Sequence, residues 1–199
     1  NPSNPDEVIG EYAEASVQDM ESAVVAAAEA AKVWSSSTPQ QRFEVLDFIG
    51  TEILARKQEL GLLLAREEGK VLPEAVGEVT RAGFIFKFFA GEALRIGGQA
   101  IASVRPNMEV LTSREAVGVV GLITPWNFPI AIPAWKTAPA LACGNAVVLK
   151  PSELTPGCAW ALAEIISRSG LPKGVFNLVM GDGVAGKTLV EHQIGRAHV

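Results

Sequence analysis

Apolar positions recur every three to four residues through the first half of the chain and gather into short runs in the second half. Met20, Val24, Ala27, Ala31 and Trp34 keep helical spacing behind Ser16-Val17-Gln18-Asp19. Ser16 there predicts a capped start, and Asp19 puts negative charge at the positive end of the helix dipole. The next start is stronger. Thr38 serves as cap, Pro39 takes the first helical position, and Gln41 can reach back to the cap amide. Phe43, Leu46, Ile49, Ile53, Leu60 and Leu63 continue as one stripe, with Gly69 as the expected stop. A third helix is predicted from near Pro73, carrying Val76, Val79, Phe84, Phe88 and Leu94 to Gly97-Gly98.

Past residue 98 the period changes. Residues 99–104 and 109–116 predict a β-hairpin around Pro106-Asn107. Gly118 to Ile123 is an apolar run stopped by Pro125, as suits a strand buried on both faces. A helix is expected from Ile130 to Leu141, and a second buried strand from Ala146 to Leu149. Thr155-Pro156 should cap a helix to about Ser169; Val175–Val179 is a third strand; Gly181 to Gly186 turns into a last helix. The order β-α-β-α-β-α with short loops predicts an α/β fold class. Helices over 1–98 precede a hairpin at 99–116 and, over 117–193, the first half of a doubly wound, Rossmann-like parallel sheet.

Composition narrows the function. With 22 acidic against 17 basic residues the net charge is −5, which disfavours a nucleic-acid partner held by phosphate neutralisation. No apolar stretch approaches the ~20 residues of a membrane helix. The polar start Asn1-Pro2-Ser3-Asn4 is not a signal peptide, and Asn rather than Met at position 1 predicts a non-native N-terminus. Two cysteines, Cys143 and Cys158, do not make a disulfide scaffold, so a cytoplasmic setting is expected. His192 and His198, both near the end of the chain, offer no basis for a metal site or a His-based triad.

Two motifs stand where strands end: Thr124-Pro125-Trp126-Asn127-Phe128-Pro129 and Lys150-Pro151-Ser152-Glu153. In an open α/β sheet, ligand-binding groups project from the carboxyl ends of strands. Asn127 can be read in two ways. Its amide could be a fixed donor to an oxygen that gains negative charge during attack on a carbonyl. It could equally cap the helix that Pro129 opens. Lys150 is either a solvated lysine leaving the sheet or a cation for a cofactor hydroxyl or phosphate. Glu153 is either a loop carboxylate or an acceptor for both adenosine ribose hydroxyls, in which case it favours NAD over NADP. Ser152 lies between them, and Ile123, Thr124, Pro125 and Trp126 could wall the same crevice; packing into the core is the plainer reading of Trp126. Gly181, Gly183 and Gly186 spell G-x-G-x-x-G between strand and helix, which is a dinucleotide fingerprint or simply a tight turn. Cys143 and Cys158 read as core or helix-surface residues, and Arg66, Glu67 and Glu68 as a solvated helix end.

Thr124–Pro129, Pro139-Ala140-Leu141-Ala142-Cys143-Gly144-Asn145 and Lys150–Pro156 together resemble the aldehyde dehydrogenase superfamily, over about Asn1 to His192. Leu64–Lys70 and Ile130–Lys136 are most similar to the α-ketoglutaric semialdehyde (2,5-dioxopentanoate) dehydrogenases. The resemblance implies NAD(P)-dependent oxidation of a small aldehyde to an acid, through a thiohemiacetal and a thioester on a cysteine. That cysteine and the general-base glutamate are expected beyond residue 199, so the chain itself should be inactive. The resemblance assigns Asn127 to the oxyanion and Ile123, Thr124, Pro125, Trp126, Lys150, Ser152, Glu153, Gly183 and Gly186 to the cofactor, with no metal. It puts the glycine turn near the adenosine half. Relatives carry one more residue between the last two glycines, which weakens Gly186. The hairpin at 99–116 is similar to the segment through which relatives pair as homodimers or homotetramers. A CoA-acylating relative and a non-catalytic nucleotide-binding member of the fold are the alternatives. Ile194–Val199 is what a common sequencing-adapter read-through encodes, so 194–199 reads as a non-native tail.

Overall fold

The computed structural model describes residues 1–194 together with the backbone at 197 and 198. The expectation of a non-native tail falls, at 195, 196 and 199, outside the described residues. α1 (Val17–Trp34) and α2 (Pro39–Ala55) start at their predicted caps. In α1, Asp19 N–H donates to Ser16 Oγ at 3.3 Å and Ser16 N–H donates to Asp19 Oδ2 at 2.8 Å. In α2, Gln41 N–H donates to Thr38 Oγ1 at 3.2 Å and Thr38 N–H to Gln41 Oε1 at 2.9 Å. Each box satisfies donors that a bare helix end leaves unpaired.

The helix predicted from Thr38 to Gly69 is in fact two. α2 ends at Ala55, and α3 (Lys57–Glu68) resumes past Arg56, whose φ of −97° and ψ of 14° break the helix. No proline or glycine marks this point. The Arg56 guanidinium is drawn aside by Glu59 at 2.6 Å and Glu164 at 2.7 Å. The break turns the apolar stripe, so Leu60 and Leu64 are fully buried while Leu63 is only partly so. Gly69 closes α3 at φ 82°, a left-handed conformation open to glycine.

α4 (Leu72–Ala93) starts as predicted, but its core face is not the predicted one. Ala75, Val79, Ala82, Phe86 and Ala90 point inward, whereas Phe84, Phe88 and Leu94 are exposed. Close approach decides the rotation: a Cβ on Gly83 would meet the Leu54 side chain at 2.6 Å and the Gly50 carbonyl at 3.2 Å. Small residues on both helices let α2 and α4 touch backbone to backbone. Large aromatics on that face would hold them apart.

β1 (Gln99–Ala102) and β2 (Glu109–Thr112) form the expected antiparallel hairpin, exposed along both strands. Asn107 sits in its turn at φ 59°. The main sheet holds β3 (Val119–Ile123), β4 (Ala146–Lys150), β5 (Phe176–Leu178) and β6 (Ala197–His198), in the order β5-β4-β3-β6 and all parallel. α5 (Ala131–Ala142) and α6 (Pro156–Ser167) connect β3, β4 and β5. α7 (Gly183–Glu191) follows β5.

Both faces of the sheet are covered, as a doubly wound fold requires. Val120, Leu122, Val147 and Leu149 pack toward α2, α4, α5 and α6, while Val119, Ala146 and Val148 pack toward α1 and α7. The chain winds from β3 through β4 to β5 and then returns to the other side of β3. In such a sheet a ligand crevice belongs outside the carboxyl ends of the parallel strands. No helix among the described residues is long and apolar enough to cross a membrane.

Candidate active site

The two sequence motifs leave adjacent strands side by side. Ile123 stands opposite Lys150 in the parallel register, and Thr124 N–H donates to the Lys150 carbonyl at 3.1 Å. The last β3–β4 rung thus joins the two motifs at the carboxyl ends of the two strands.

Asn127 does not cap the following helix. α5 begins at Ala131, its N-cap position is Ile130, and no side chain of that residue closes the end. Asn127 is exposed. Its side-chain amide makes no hydrogen bond among the described residues, so the donor is free for a ligand. The cap comes instead from α4. Glu78 Oε1 accepts N–H bonds from Ile130 at 3.2 Å and Ala131 at 3.1 Å.

Lys150 is only 5% exposed, which overturns the solvated-lysine reading. Its ammonium lies 3.0 Å from Glu153 Oε2. Glu153 is more than half exposed. Its own backbone N–H first, then the Lys150 ammonium, holds its carboxyl below the ordinary range. Ser152 is buried, and its Oγ accepts the Leu154 N–H at 3.2 Å, which fixes the turn between the two charged residues. Thr124 is also buried, with its Oγ1 unpartnered among the described residues. Trp126 is 51% exposed in this chain. Pro125 and Ile123 lie at the surface beside it.

At the glycine turn, Gly183 is the first residue of α7. The helix end is closed by Asp182, whose Oδ1 accepts the Val184 N–H at 2.7 Å. A carboxylate already occupies the place where a phosphate-cradling loop would offer bare N–H groups. Gly186 is buried, and a Cβ there would meet Ile123 Cδ1 at 3.9 Å, so this residue backs the end of β3.

Neither cysteine is placed as a nucleophile. Cys143 is an exposed C-cap of α5. Cys158 is buried in the first turn of α6, and burial followed by the nearby Glu67 charge pushes its thiol well up. The nearby carboxylate disfavours a thiolate there, so Cys158 is the buried helix residue its sequence suggests.

Arg66, Glu67 and Glu68 correct the sequence reading most. They do not form a solvated helix end. Arg66 pairs with Glu7, and Glu67 caps α6 through the N–H groups of Gly157 at 2.6 Å and Cys158 at 2.9 Å. Glu68 is nearly buried, 3.0 Å from Lys70 Nζ. Thr155, the predicted cap of α6, makes no capping bond, and its buried hydroxyl has no partner among the described residues. Lys70 and Glu78 also escaped the sequence reading. One signal was present: Glu78 is a charge set within the inward stripe of α4, between Ala75 and Ala82. Such a charge must have a buried partner.

A family model for the aldehyde dehydrogenases matches residues 1–197 of the chain. The chain belongs to the aldehyde dehydrogenase family. It is 47% identical over 183 residues to the alpha-ketoglutarate semialdehyde dehydrogenase of Haloferax volcanii, covering 92% of this chain and 38% of that protein. It is 41% identical over 191 residues to the 2,5-dioxopentanoate dehydrogenase of Saccharolobus solfataricus, covering 96% and 40%. Among solved structures it resembles the betaine aldehyde dehydrogenase of Staphylococcus aureus in complex with NAD+. The TM-score is 0.93 at 36% identity, over 96% of this chain and 39% of that one. The aldehyde dehydrogenase segment described here thus spans about two-fifths of the length of these relatives.

Proposed function

We propose that the protein carrying this chain oxidises a small semialdehyde, of the α-ketoglutarate semialdehyde class, to its carboxylic acid with NAD(P)+. One observation carries the reading. The Thr124–Asn127 loop and the Lys150–Glu153 pair leave the carboxyl ends of neighbouring strands joined by the Thr124–Lys150 backbone bond. A free amide donor and a polar clamp leaving neighbouring strand ends are what one crevice for a carbonyl and a dinucleotide would need.

The available groups suit a dinucleotide. Lys150 brings a buried ammonium with donors beyond the one given to Glu153, and Glu153 brings a half-exposed carboxylate that can accept from two vicinal hydroxyls. Thr124 brings an unpartnered buried hydroxyl, and Trp126 an exposed indole face. Ile123, Pro125 and Ser152 shape the wall, and Gly183 and Gly186 back the adenosine side. Glu153 opposes a 2′-phosphate, so NAD+ is favoured over NADP+. When bound, the nicotinamide accepts the hydride. Asn127 donates to the oxygen of the attacked carbonyl and stabilises the charge that develops there. The nucleophile is a cysteine outside this chain, since Cys143 caps a helix and Cys158 is buried beside a carboxylate. The exposed hairpin β1–β2, with Ile101 and Leu111 facing outward, is the surface on which copies pair as homodimers or homotetramers. A cytoplasmic location fits the two unpaired thiols.

The test is a full-length chain carrying this segment, assayed for NADH formation with α-ketoglutarate semialdehyde and with acetaldehyde. Turnover with the semialdehyde at a kcat/KM at least tenfold above acetaldehyde is expected. No NADH from any aldehyde would sink the reading.

A further inference from the structure

We infer that Lys70 and Glu78 are positioning residues for Asn127, an inference that rests on the oxyanion reading of that amide. Lys70 lies in the short turn between α3 and α4. Its ammonium donates to the main-chain carbonyl of Asn127 itself at 3.0 Å and sits 4.3 Å from the centre of the Phe128 ring. The same ammonium donates to Glu78 Oε2 at 2.7 Å. Through its other oxygen, Glu78 holds the N–H groups of Ile130 and Ala131. One buried ion pair therefore grips the active-site loop at both ends: at the carbonyl of residue 127 and at the amides of 130 and 131. Glu78 is 2% exposed and Lys70 12% exposed at the side chain. The Glu78 end of the grip is thus shielded, while the bond to the Asn127 carbonyl lies at the surface.

A cap alone would not need Lys70. A helix N-terminus is satisfied by a carboxylate, and Glu78 already supplies one. The ammonium adds a bond to the one peptide whose orientation sets where the Asn127 side chain starts. It also neutralises Glu78, which would otherwise stand as an unpaired buried charge. A displacement of about 1 Å at a catalytic donor can cost on the order of a hundredfold in rate. A rigid grip on this peptide therefore bears on catalysis and not only on folding.

The experiment is a double-mutant cycle in the full-length chain that carries this segment. Lys70→Met keeps the apolar stem and removes the ammonium. Lys70→Arg restores a cation. Lys70→Met with Glu78→Gln removes the charges of that pair, and Glu68→Gln is added to it because Glu68, nearly buried 3.0 Å from the ammonium, would otherwise stand as a lone buried charge. Both Lys70→Met backgrounds should lose about 10- to 100-fold in kcat with the Kd for NAD+ within about twofold, while Lys70→Arg recovers part of the loss. In an Asn127→Ala background, Lys70→Met should cost less than about threefold further, because the donor it positions is gone. Wild-type kcat in the neutralised variant, or full additivity with Asn127→Ala, would overturn the inference. Hydrogen exchange supplies a readout that does not depend on activity. In Lys70→Met the peptide covering 124–131 should exchange at least tenfold faster, with that covering 146–150 unchanged. If the wild-type protein oxidises no aldehyde, the functional reading fails while this exchange result still decides the positioning claim. Unchanged exchange at 124–131 would refute it.

Discussion

Glu67 accepts the backbone N–H of Gly157 at 2.6 Å, closing α6 from ninety positions earlier in the chain. The same carboxylate takes the Cys158 N–H. α5 is closed in the same way by Glu78. Both helices that follow the site strands are thus capped from the α3–α4 hairpin, which ties the helical half of the chain to the sheet.

Removing the first of these caps should be costly. Glu67→Ala should destabilise the fold by about 2 kcal/mol, between the cost of losing a cap and that of losing charge-assisted hydrogen bonds. Glu67→Gln, which keeps an acceptor, should lose roughly half as much. Denaturant midpoints for the two variants, at an unchanged m-value, measure the difference.

Asn127→Ala in the full-length protein should lower kcat by about 10²–10³, the usual cost of one oxyanion donor. Binding of NAD+ should change little if, as proposed, the amide serves the substrate carbonyl and not the coenzyme. Stopped-flow turnover and NAD+ titration followed by Trp126 fluorescence separate the two effects.

Glu153→Gln should shift coenzyme choice. Removing the carboxylate weakens NAD+ about tenfold by loss of charge-assisted bonds and relieves repulsion of a 2′-phosphate, so the NAD+/NADP+ preference should fall by more than tenfold. Lys150→Ala should instead weaken both coenzymes alike. Kd values for the two coenzymes on each variant test the assignment.

Thiol chemistry should divide the cysteines. In the native 199-residue chain, Cys143 is exposed and should react readily with an aromatic disulfide reagent. Cys158, buried and with its thiol pushed up, should stay silent until the chain is unfolded. One fast equivalent followed by a second in denaturant is the expected count.

Acid should act through Glu164. Arg168 first and Arg56 next hold its carboxyl below the ordinary value of 4.5. A carboxyl depressed in the folded state adds stability above its unfolded pKa, and that stability is lost as pH falls through the folded one. Glu164→Gln should therefore flatten the decline in stability below about pH 4.5 and leave the neutral region with a constant offset. Thermal melts across pH 3–7 read the slope, and an unchanged acid limb in the variant would contradict the assignment.

The sequence by itself determined the parts governed by neighbours. Both capping boxes, the proline that opens α2, the glycine that ends α3, the exposed hairpin, the two buried strands and the half-buried third depend on residues a few positions apart, and each stands where spacing put it. The strand-end motifs at Thr124 and Lys150 were legible for the same reason: parallel strands buried on both faces announce themselves as apolar runs.

Tertiary structure decided what depended on distant partners. Arg56 at the break pairs with Glu59 and with Glu164, 108 residues away, and no proline or glycine signals the break. The rotation of α4 follows from the glycine contact with α2, which puts small residues inward and Phe84 and Phe88 outward. Asn127 became a free donor because Glu78 took over the helix cap, and Lys150 became a buried clamp because the chain packs over it. Spacing conveys which face of an element is apolar. Which buried charges meet, and which amide they leave unbound, is fixed only when segments far apart in the chain come together to share the cost of desolvation.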